Sequence, residues 1–130
     1  RQPMNAQPQA PRDLFSGVNG ASDMANPTDL EKKHLPVIEA PVEVSAGECF
    51  EVRVEVGKLL EHPNEKQHFI EFVDLHAGEV PLVRLDLTAE STCPVLKACV
   101  SLPKALGPIV AHARCNLHGL WKAEHPLTVT

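Results

Sequence analysis

The chain has 130 residues, of which 43% are hydrophobic and 22% charged, a composition typical of one globular domain. It contains no run of about 18 apolar residues, so the sequence argues against membrane insertion. The net charge of -5 and the 4% of aromatic residues argue against a nucleic-acid partner, because phosphates need clustered Lys and Arg and bases stack on aromatic rings. Small molecules and other proteins remain as partners.

Residues 1–30 differ from the remainder of the chain in composition. Prolines lie there among Gln, Asn, Ala and Gly, and no apolar periodicity persists. We therefore expect a flexible or loosely docked N-terminal arm over residues 1–30 and a folded domain over residues 31–130. The chain begins with Arg1 instead of Met, which leaves open a removed export signal and hence either a cytoplasmic or a periplasmic location.

From residue 41 onwards the sequence has the pattern of β-structure. Phe50–Val56 alternates apolar and charged residues, which predicts a half-buried strand, and the mostly apolar residues 68–75 predict a central strand. Further strands are predicted at 83–87, 95–102, 109–114 and 126–129. About seven short strands separated by Pro- and Gly-rich turns predict an all-β fold, an immunoglobulin-like antiparallel β-sandwich.

Three short motifs hold most of the histidines. They are the K-H-L-P run that contains His34, the H-P-N-E-K-Q-H run from His62 to His68, and the C-N-L-H-G-L-W-K run that contains Cys115 and His118. The proline in the second motif prevents its two histidines from sharing a helical face, so we expect a compact loop whose ends point at one centre. The third motif suits a tight turn that offers a thiolate and an imidazole to the same atom.

Together these motifs supply four imidazoles and one thiolate. Zinc prefers four ligands in a tetrahedron, so five donors exceed its needs. Imidazole and thiolate together suit iron, and five protein ligands leave one position open for a small ligand. The sequence thus predicts one mononuclear iron per chain, with a structural zinc β-domain as the weaker alternative. The predicted ligands are His34, His62, His68, His118 and Cys115.

The remaining histidines and cysteines lie outside the three motifs. We interpret His76, His112 and His125 as structural or solvent-exposed side chains. The cysteines make no C-x-x-C pair, so a thiolate zinc site or a redox dithiol is not indicated. Cys49, Cys93 and Cys99 are expected to be small buried hydrophobic residues.

The motifs H-P-x-x-x-x-H and C-N-x-H-G-L-W, with K-H-x-P upstream, resemble the iron domain of the superoxide reductases, the neelaredoxin and desulfoferrodoxin family. The resemblance covers roughly residues 31–130. It implies equatorial ligation by His34, His62, His68 and His118, axial ligation by Cys115, and a reaction site opposite the cysteine. Longer family members carry an additional four-cysteine iron module, whereas residues 1–30 contain no cysteine. The chain is therefore similar to the one-iron, neelaredoxin-like type.

The resemblance also implies a reaction and two further site residues. Iron would reduce superoxide by one electron to hydrogen peroxide, and a rubredoxin-type protein would reduce the iron again. Lys33 matches the family lysine and, with Lys32, would supply positive charge that attracts an anion to an acidic protein. The family glutamate that caps oxidised iron stands two residues before the histidine, where this chain has Lys32. Glu31, one residue further back, is therefore either a sixth ligand or a solvated loop carboxylate.

A second functional hypothesis comes from another class. The same fold could serve as an iron-binding electron-transfer or interaction module without turnover. Consumption of superoxide by the reduced protein separates the enzyme from such a module. The sequence leaves open whether the chain forms a homo-oligomer.

Overall fold

The structure is a computed structural model that describes residues 13–130. Within these residues lie one short helix and ten strands, seven of which have four residues or more. In chain order they are β1 (Val18–Asn19), α1 (Asp29–His34), β2 (Pro36–Glu39), β3 (Glu43–Val44), β4 (Phe50–Val56), β5 (Ile70–Ala77), β6 (Val80–Asp86), β7 (Val95–Val100), β8 (Ile109–Cys115), β9 (Gly119–His125) and β10 (Thr128–Val129).

Most strands belong to two sheets. A five-stranded sheet has the order β1-β9-β8-β5-β6, a three-stranded sheet has the order β2-β4-β7, and β10 pairs with β3. The pairings are antiparallel except for β1 with β9 and β10 with β3, which are parallel. The predicted all-β class is confirmed, and side chains from both larger sheets meet in one core, as in a sandwich.

Alternation along the strands builds this core. On β4, Val52, Val54 and Val56 are buried. Glu51, which precedes Val52 and points to the opposite face of the sheet, is exposed. From the facing sheet, β5 and β8 contribute further fully buried apolar side chains. Burying one Val or Leu side chain stabilises the folded state by about 1.5–3 kcal/mol, so the facing apolar rows hold the two sheets together.

The predicted strands coincide with observed ones, but the helix α1 and the strands β1, β2, β3 and β9 were not predicted. The strand predicted at 50–56 has the bounds of β4, and the others overlap β5, β6, β7, β8 and β10. In the missed β9, Lys122 and Glu124 are exposed, but Trp121 is the one large apolar residue among the intervening positions, so its alternation is weak. The missed α1 has six residues, too few for a helical pattern to show.

Part of the predicted arm contacts the domain. Val18 and Asn19 pair with Leu120 and Trp121 of β9. The Asn19 amide donates to the carbonyl oxygens of Leu14, at 2.8 Å, and Leu120, at 2.9 Å. Residues 1–12 of the arm lie outside the described residues.

The prediction that Cys49, Cys93 and Cys99 are buried was wrong, because all three are exposed and free. On β7, Leu96 and Val100 point into the core, so the alternation directs Cys99 outwards. Cys115 is the buried cysteine. The one helix between residues 13 and 130 has six residues, far short of the length needed to cross a bilayer.

Gly119 supports a testable prediction about how residues 13–30 are held. Its φ is +80°, and a Cβ at this position would lie 2.1 Å from the carbonyl oxygen of Leu14. Gly119→Ala is therefore expected to lower the free energy of unfolding, measured in urea, by more than the roughly 1–2 kcal/mol that a left-handed backbone alone costs.

Gly47 provides the matched control. Its φ is +82° and nothing lies within 4 Å of a Cβ built there, so Gly47→Ala carries the backbone penalty without the clash. Equal losses of stability in the two variants would show that the contact between residues 14 and 119 is not tight in solution.

Candidate metal centre

The first of the predicted ligands is presented by the short helix α1. Thr28 caps this helix: its hydroxyl accepts from the amide of Glu31, whose carboxylate in turn accepts from the amide of Thr28. His34 is the last helical residue and is 1% exposed. Its Nδ1 lies 2.7 Å from the carbonyl oxygen of Leu30, one turn earlier. The capping box thus fixes the helix that aims His34 into the protein.

Glu31 takes part in the cap and is buried. One carboxylate oxygen accepts from the Thr28 amide at 2.9 Å, and the other accepts from the amide and hydroxyl of Ser22, each at 3.1 Å. The hydrogen bond from the Thr28 backbone lowers the pKa of Glu31, although burial opposes this. A solvated loop carboxylate is the wrong interpretation, because Glu31 is 1% exposed. Its two oxygens thus accept three hydrogen bonds, which tie the start of the helix to Ser22.

His62 and His68 come from the loop between β4 and β5. Within this loop the backbones of Glu65 and His68 exchange hydrogen bonds of 2.9 and 3.0 Å, which closes a tight turn. The Nδ1 of His62 lies 2.6 Å from the carbonyl oxygen of Pro63. The rings of His62 and His68 lie 4.7 Å apart, so the loop brings its two ends together as the sequence predicted.

Cys115 and His118 flank the turn between β8 and β9. Cys115 is fully buried, and its Sγ lies 3.6 Å from Nδ1 of His118. Asn116 links this turn to the His68 loop, because its side chain accepts from the Phe69 amide and donates to the Gln67 carbonyl, both at 2.9 Å. The bonds of Asn116 hold the segment that carries Cys115 beside the segment that carries His68.

The four histidine rings form a closed square. Neighbouring ring centroids are separated by 4.7 Å for His34 and His62, 4.7 Å for His62 and His68, 5.0 Å for His68 and His118, and 4.8 Å for His118 and His34. One ligand atom from each of His34, His68, Cys115 and His118 lies within 4.8 Å of the others. His62 adds the fourth ring. The structure brings all five predicted ligand residues together.

Three nitrogen atoms at this centre are buried without a hydrogen-bond partner. They are the Nε2 atoms of His34, His62 and His68. A proton on Nδ1 of His34 and of His62 bonds to the neighbouring carbonyl, which leaves a lone pair on Nε2. Burying such groups unpaired costs free energy. A metal ion bound at the centre of the square would satisfy them.

Burial sets the protonation states of the donors. It lowers the pKa of His34 and of His62 to about 4, and it also lowers the pKa of His118, so these imidazoles are neutral near pH 7. Burial raises the pKa of the Cys115 thiol, against the backbone amides of Leu117 and His118 that bond to the sulfur. A metal would displace the thiol proton. Five nitrogen and sulfur donors fit iron better than a tetrahedral zinc site.

Trp121 supports the centre and was not recognised from the sequence as a site residue. Its ring is fully buried and stacks on His34 with centroids 5.1 Å apart and planes 20° apart. Its Nε1 donates to the carbonyl oxygen of His118 at 2.9 Å. Trp121 thereby fixes two of the four imidazole-bearing residues. Its position in the C-N-L-H-G-L-W run was the only available signal.

Lys33 lies at the edge of the centre, beside two carboxylates whose proximity the sequence does not reveal. Its charge contributes to the lowered pKa of His34 and of His118. Lys33 also lines an open groove of about 450 Å³ with His62 and the exposed Glu61 and Glu65. An anion that approaches along this groove would therefore meet charges of both signs.

The all-β domain and its four-histidine, one-cysteine centre define a non-haem iron protein. Residues 26–124 match the family model described as Desulfoferrodoxin. The chain belongs to the desulfoferrodoxin family, whose cofactor is iron, and is an oxidoreductase.

Individual relatives agree with this assignment. A relative from Methanocaldococcus jannaschii is 40% identical over 108 residues, which cover 81% of this chain and 90% of that protein. The superoxide reductase of Pyrococcus horikoshii is 35% identical over 101 residues, covering 72% of this chain and 85% of that protein. The solved structure of the Ignicoccus hospitalis superoxide reductase (neelaredoxin) matches with a TM-score of 0.73 and 34% identity, over 90% of this chain and 96% of that one.

The lowered histidine pKa values predict how the metal-free protein responds to acid. A histidine with a pKa of about 4 when folded and about 6.5 when unfolded binds more protons in the unfolded state between these values. The stability of the metal-free protein is therefore expected to fall as the pH drops from 6.5 towards 4, and to stop changing from this cause below pH 4. Urea unfolding between pH 7 and 5, where few carboxylates titrate, measures the effect.

His62→Gln removes one of the two histidines whose pKa is lowered to about 4, so the stability of this variant should depend less on pH than that of the parent. A parent profile that is flat between pH 7 and 5 would contradict the burial of neutral imidazoles.

Proposed function

We propose that this protein is a superoxide reductase, which converts one superoxide anion, one electron and two protons into hydrogen peroxide. The observation that carries the proposal is the square of imidazoles with three buried, partnerless Nε2 atoms beside the Cys115 sulfur. Relatives named superoxide reductase support the choice of substrate.

The proposed metal ligands are the four histidines of the square and the buried cysteine. His34, His62 and His68 would bind through Nε2, because these are the atoms without partners. His118 would bind through Nδ1, the atom that faces the Cys115 sulfur. Bound iron would supply the single electron that superoxide needs.

The donor set determines the charge and electron density at the centre. Because the imidazoles are neutral, they leave the positive charge of a bound cation uncancelled, and this charge attracts an anion. Cys115, as a thiolate, would donate electron density to the metal, as cysteine does in thiolate-ligated haem proteins. The amides of Leu117 and His118 bond to the same sulfur and would moderate that donation.

Lys33 is proposed to attract superoxide. The protein carries a net charge of -5, so long-range attraction of an anion is weak. Lys33 lies close enough to the square to act on His34 and His118, and it lines the groove that contains His62. Glu61 and Glu65 line the same groove and would oppose this attraction.

The electron donor is proposed to be a small protein of the rubredoxin type. Leu117 is 50% exposed and immediately precedes His118, so an apolar contact beside the centre is available to a docking protein. Transient electron-transfer complexes use small interfaces, and an exposed apolar side chain beside the centre suits one.

The first prediction of this proposal concerns the ligands. Purified protein is expected to contain about one iron per chain, and the combined His62→Ala and His68→Ala replacement should remove most of it. Cys115→Ser should abolish the visible sulfur-to-iron(III) absorption band of the oxidised protein, because that band requires the thiolate. Metal analysis and absorption spectra measure these effects.

Replacing the exposed Cys49, Cys93 and Cys99 together by Ser is the control and should leave the band intact. Full iron content in the double histidine variant would show that the loop is not part of the site. A protein that holds iron but does not consume superoxide when reduced would instead favour the electron-transfer module.

The second prediction concerns Lys33. Lys33→Ala should slow the second-order reaction of the reduced protein with superoxide, measured by pulse radiolysis at low salt, and should leave iron content unchanged. Added salt should slow the parent more than the variant, because exposed charges are screened beyond about 8–10 Å near physiological ionic strength. Lys32 is expected to share this task, so the Lys32/Lys33 double variant should react more slowly than Lys33→Ala.

Glu61→Gln and Glu65→Gln are the opposite-sign controls, since both carboxylates line the groove of Lys33. Each should accelerate the reaction. An unchanged rate in the Lys32/Lys33 double variant at low salt would rule out steering by these lysines.

A further inference from the structure

A second group of metal-ligand side chains lies on the outer face of the five-stranded sheet. Asp74 and His76 are two residues apart on β5, so both point to the same face. His112 of β8 is the register partner of Asp74. One ligand atom from each of the three residues lies within 4.8 Å of the others. The sequence alone indicated only structural or solvent-exposed side chains at His76 and His112.

The contacts within this group have the spacing of ligands around one ion. The Nε2 of His76 lies 3.4 Å from one oxygen of Asp74, too long for a strong hydrogen bond. Two ligands bound at about 2.0–2.2 Å to a tetrahedral zinc ion are separated by roughly this distance. The two imidazole rings lie 5.2 Å apart at 77°, similar to the spacing of neighbouring rings in the four-histidine square.

Hydrogen bonds already orient the group. Asp74 Oδ1 accepts from the backbone amide of His112 at 3.0 Å and lies 2.8 Å from Nδ1 of the same residue. Burial opposes ionisation of Asp74, but the hydrogen bond and charges of the two histidines lower its pKa below the usual value. One oxygen of Asp74 thus fixes the His112 ring, and the other oxygen lies towards His76.

The sheet places this group rigidly and leaves it accessible. The pairing of β5 with β6 shifts register between Leu75 and His76, and such bulges redirect side chains. The side chains of Asp74, His76 and His112 are 16%, 24% and 19% exposed, so they are half-buried but open to solvent. His76 and His112 line a groove of about 460 Å³ to which Glu79 and Glu124 also contribute.

The neighbouring cations are paired with other carboxylates. Arg84, the register partner of Asp74 on β6, donates to Asp86 at 2.9 Å. Lys122, the register partner of His112 on β9, lies 3.2 Å from Glu124. Neither Arg84 nor Lys122 forms an ion pair with Asp74 in these contacts. The negative charge of the Asp74 carboxylate therefore remains available to a metal cation.

We propose that Asp74, His76 and His112 form a second metal site, which binds a divalent transition ion of the zinc class. Two imidazoles and one carboxylate suit zinc, and solvent in the groove completes the coordination. Cys115 lies three residues after His112 and points to the core, whereas His112 points outwards. The second site is thus separate from the four-histidine centre and does not depend on its function.

Zinc binding to the iron-loaded protein tests this proposal. Equilibrium dialysis against Zn²⁺, with zinc and iron measured together, is expected to show one zinc per chain without loss of iron. His76→Gln and His112→Gln should each weaken zinc binding by at least about tenfold, the effect typical of losing a ligand or its orienting partner. Zinc should also raise the thermal midpoint of the parent and raise it much less in His76→Gln.

His125→Gln is the matched control, because it removes a histidine that lies outside the group, on the neighbouring strand β9. The zinc affinity of this variant should equal that of the parent.

His112→Gln and Asp74→Asn also remove bonds between β5 and β8, so a loss of zinc binding in these variants can reflect impaired folding. His76→Gln leaves those bonds in place and decides the question. Unchanged zinc affinity in His76→Gln, equal loss in His125→Gln, or zinc uptake only in exchange for iron would each overturn the second site.

Discussion

The structure depends on the burial of neutral imidazoles whose metal-facing nitrogens have no partner in the described residues. Removing such a nitrogen from water costs free energy, and no protein hydrogen bond to it offsets this cost. For His34 and His62, the carbonyls of Leu30 and Pro63 fix the tautomer that leaves this lone pair on Nε2. The protein therefore keeps the centre ready for a cation, and the cation in turn contributes to the stability of the folded chain.

The β-framework allows this arrangement to persist. The five donors come from a short helix, a loop and a hairpin turn, which are far apart in sequence. Each segment has its own local constraint: the capping box at Thr28, the tight turn at Glu65, and the two side-chain bonds of Asn116. Trp121, anchored in the core on β9, adds packing against His34. Local hydrogen bonds thus fix each segment, and the core fixes the segments relative to one another.

The charges around the centre separate two tasks. Glu31 is close in sequence to the lysines, but its carboxylate stabilises the helix end and is shielded from solvent. Lys33 remains at the groove, where its charge competes with those of Glu61 and Glu65. An acidic protein can in this way present a mixed local field at the point where an anion would arrive.

The sequence by itself determined the fold class, most of the long strands and all five residues of the four-histidine, one-cysteine centre. These follow from local signals, namely alternation on strands such as β4 and closely spaced donors such as Cys115 and His118. Only the tertiary structure decided that Glu31 is buried against Ser22, that Cys49, Cys93 and Cys99 are exposed, and that Trp121 stacks on His34. The tertiary structure also brings His112 within hydrogen-bonding distance of Asp74, which is 38 residues away in the sequence. Strand register determines which side chains meet across a sheet, and register is set by the packing of the whole core.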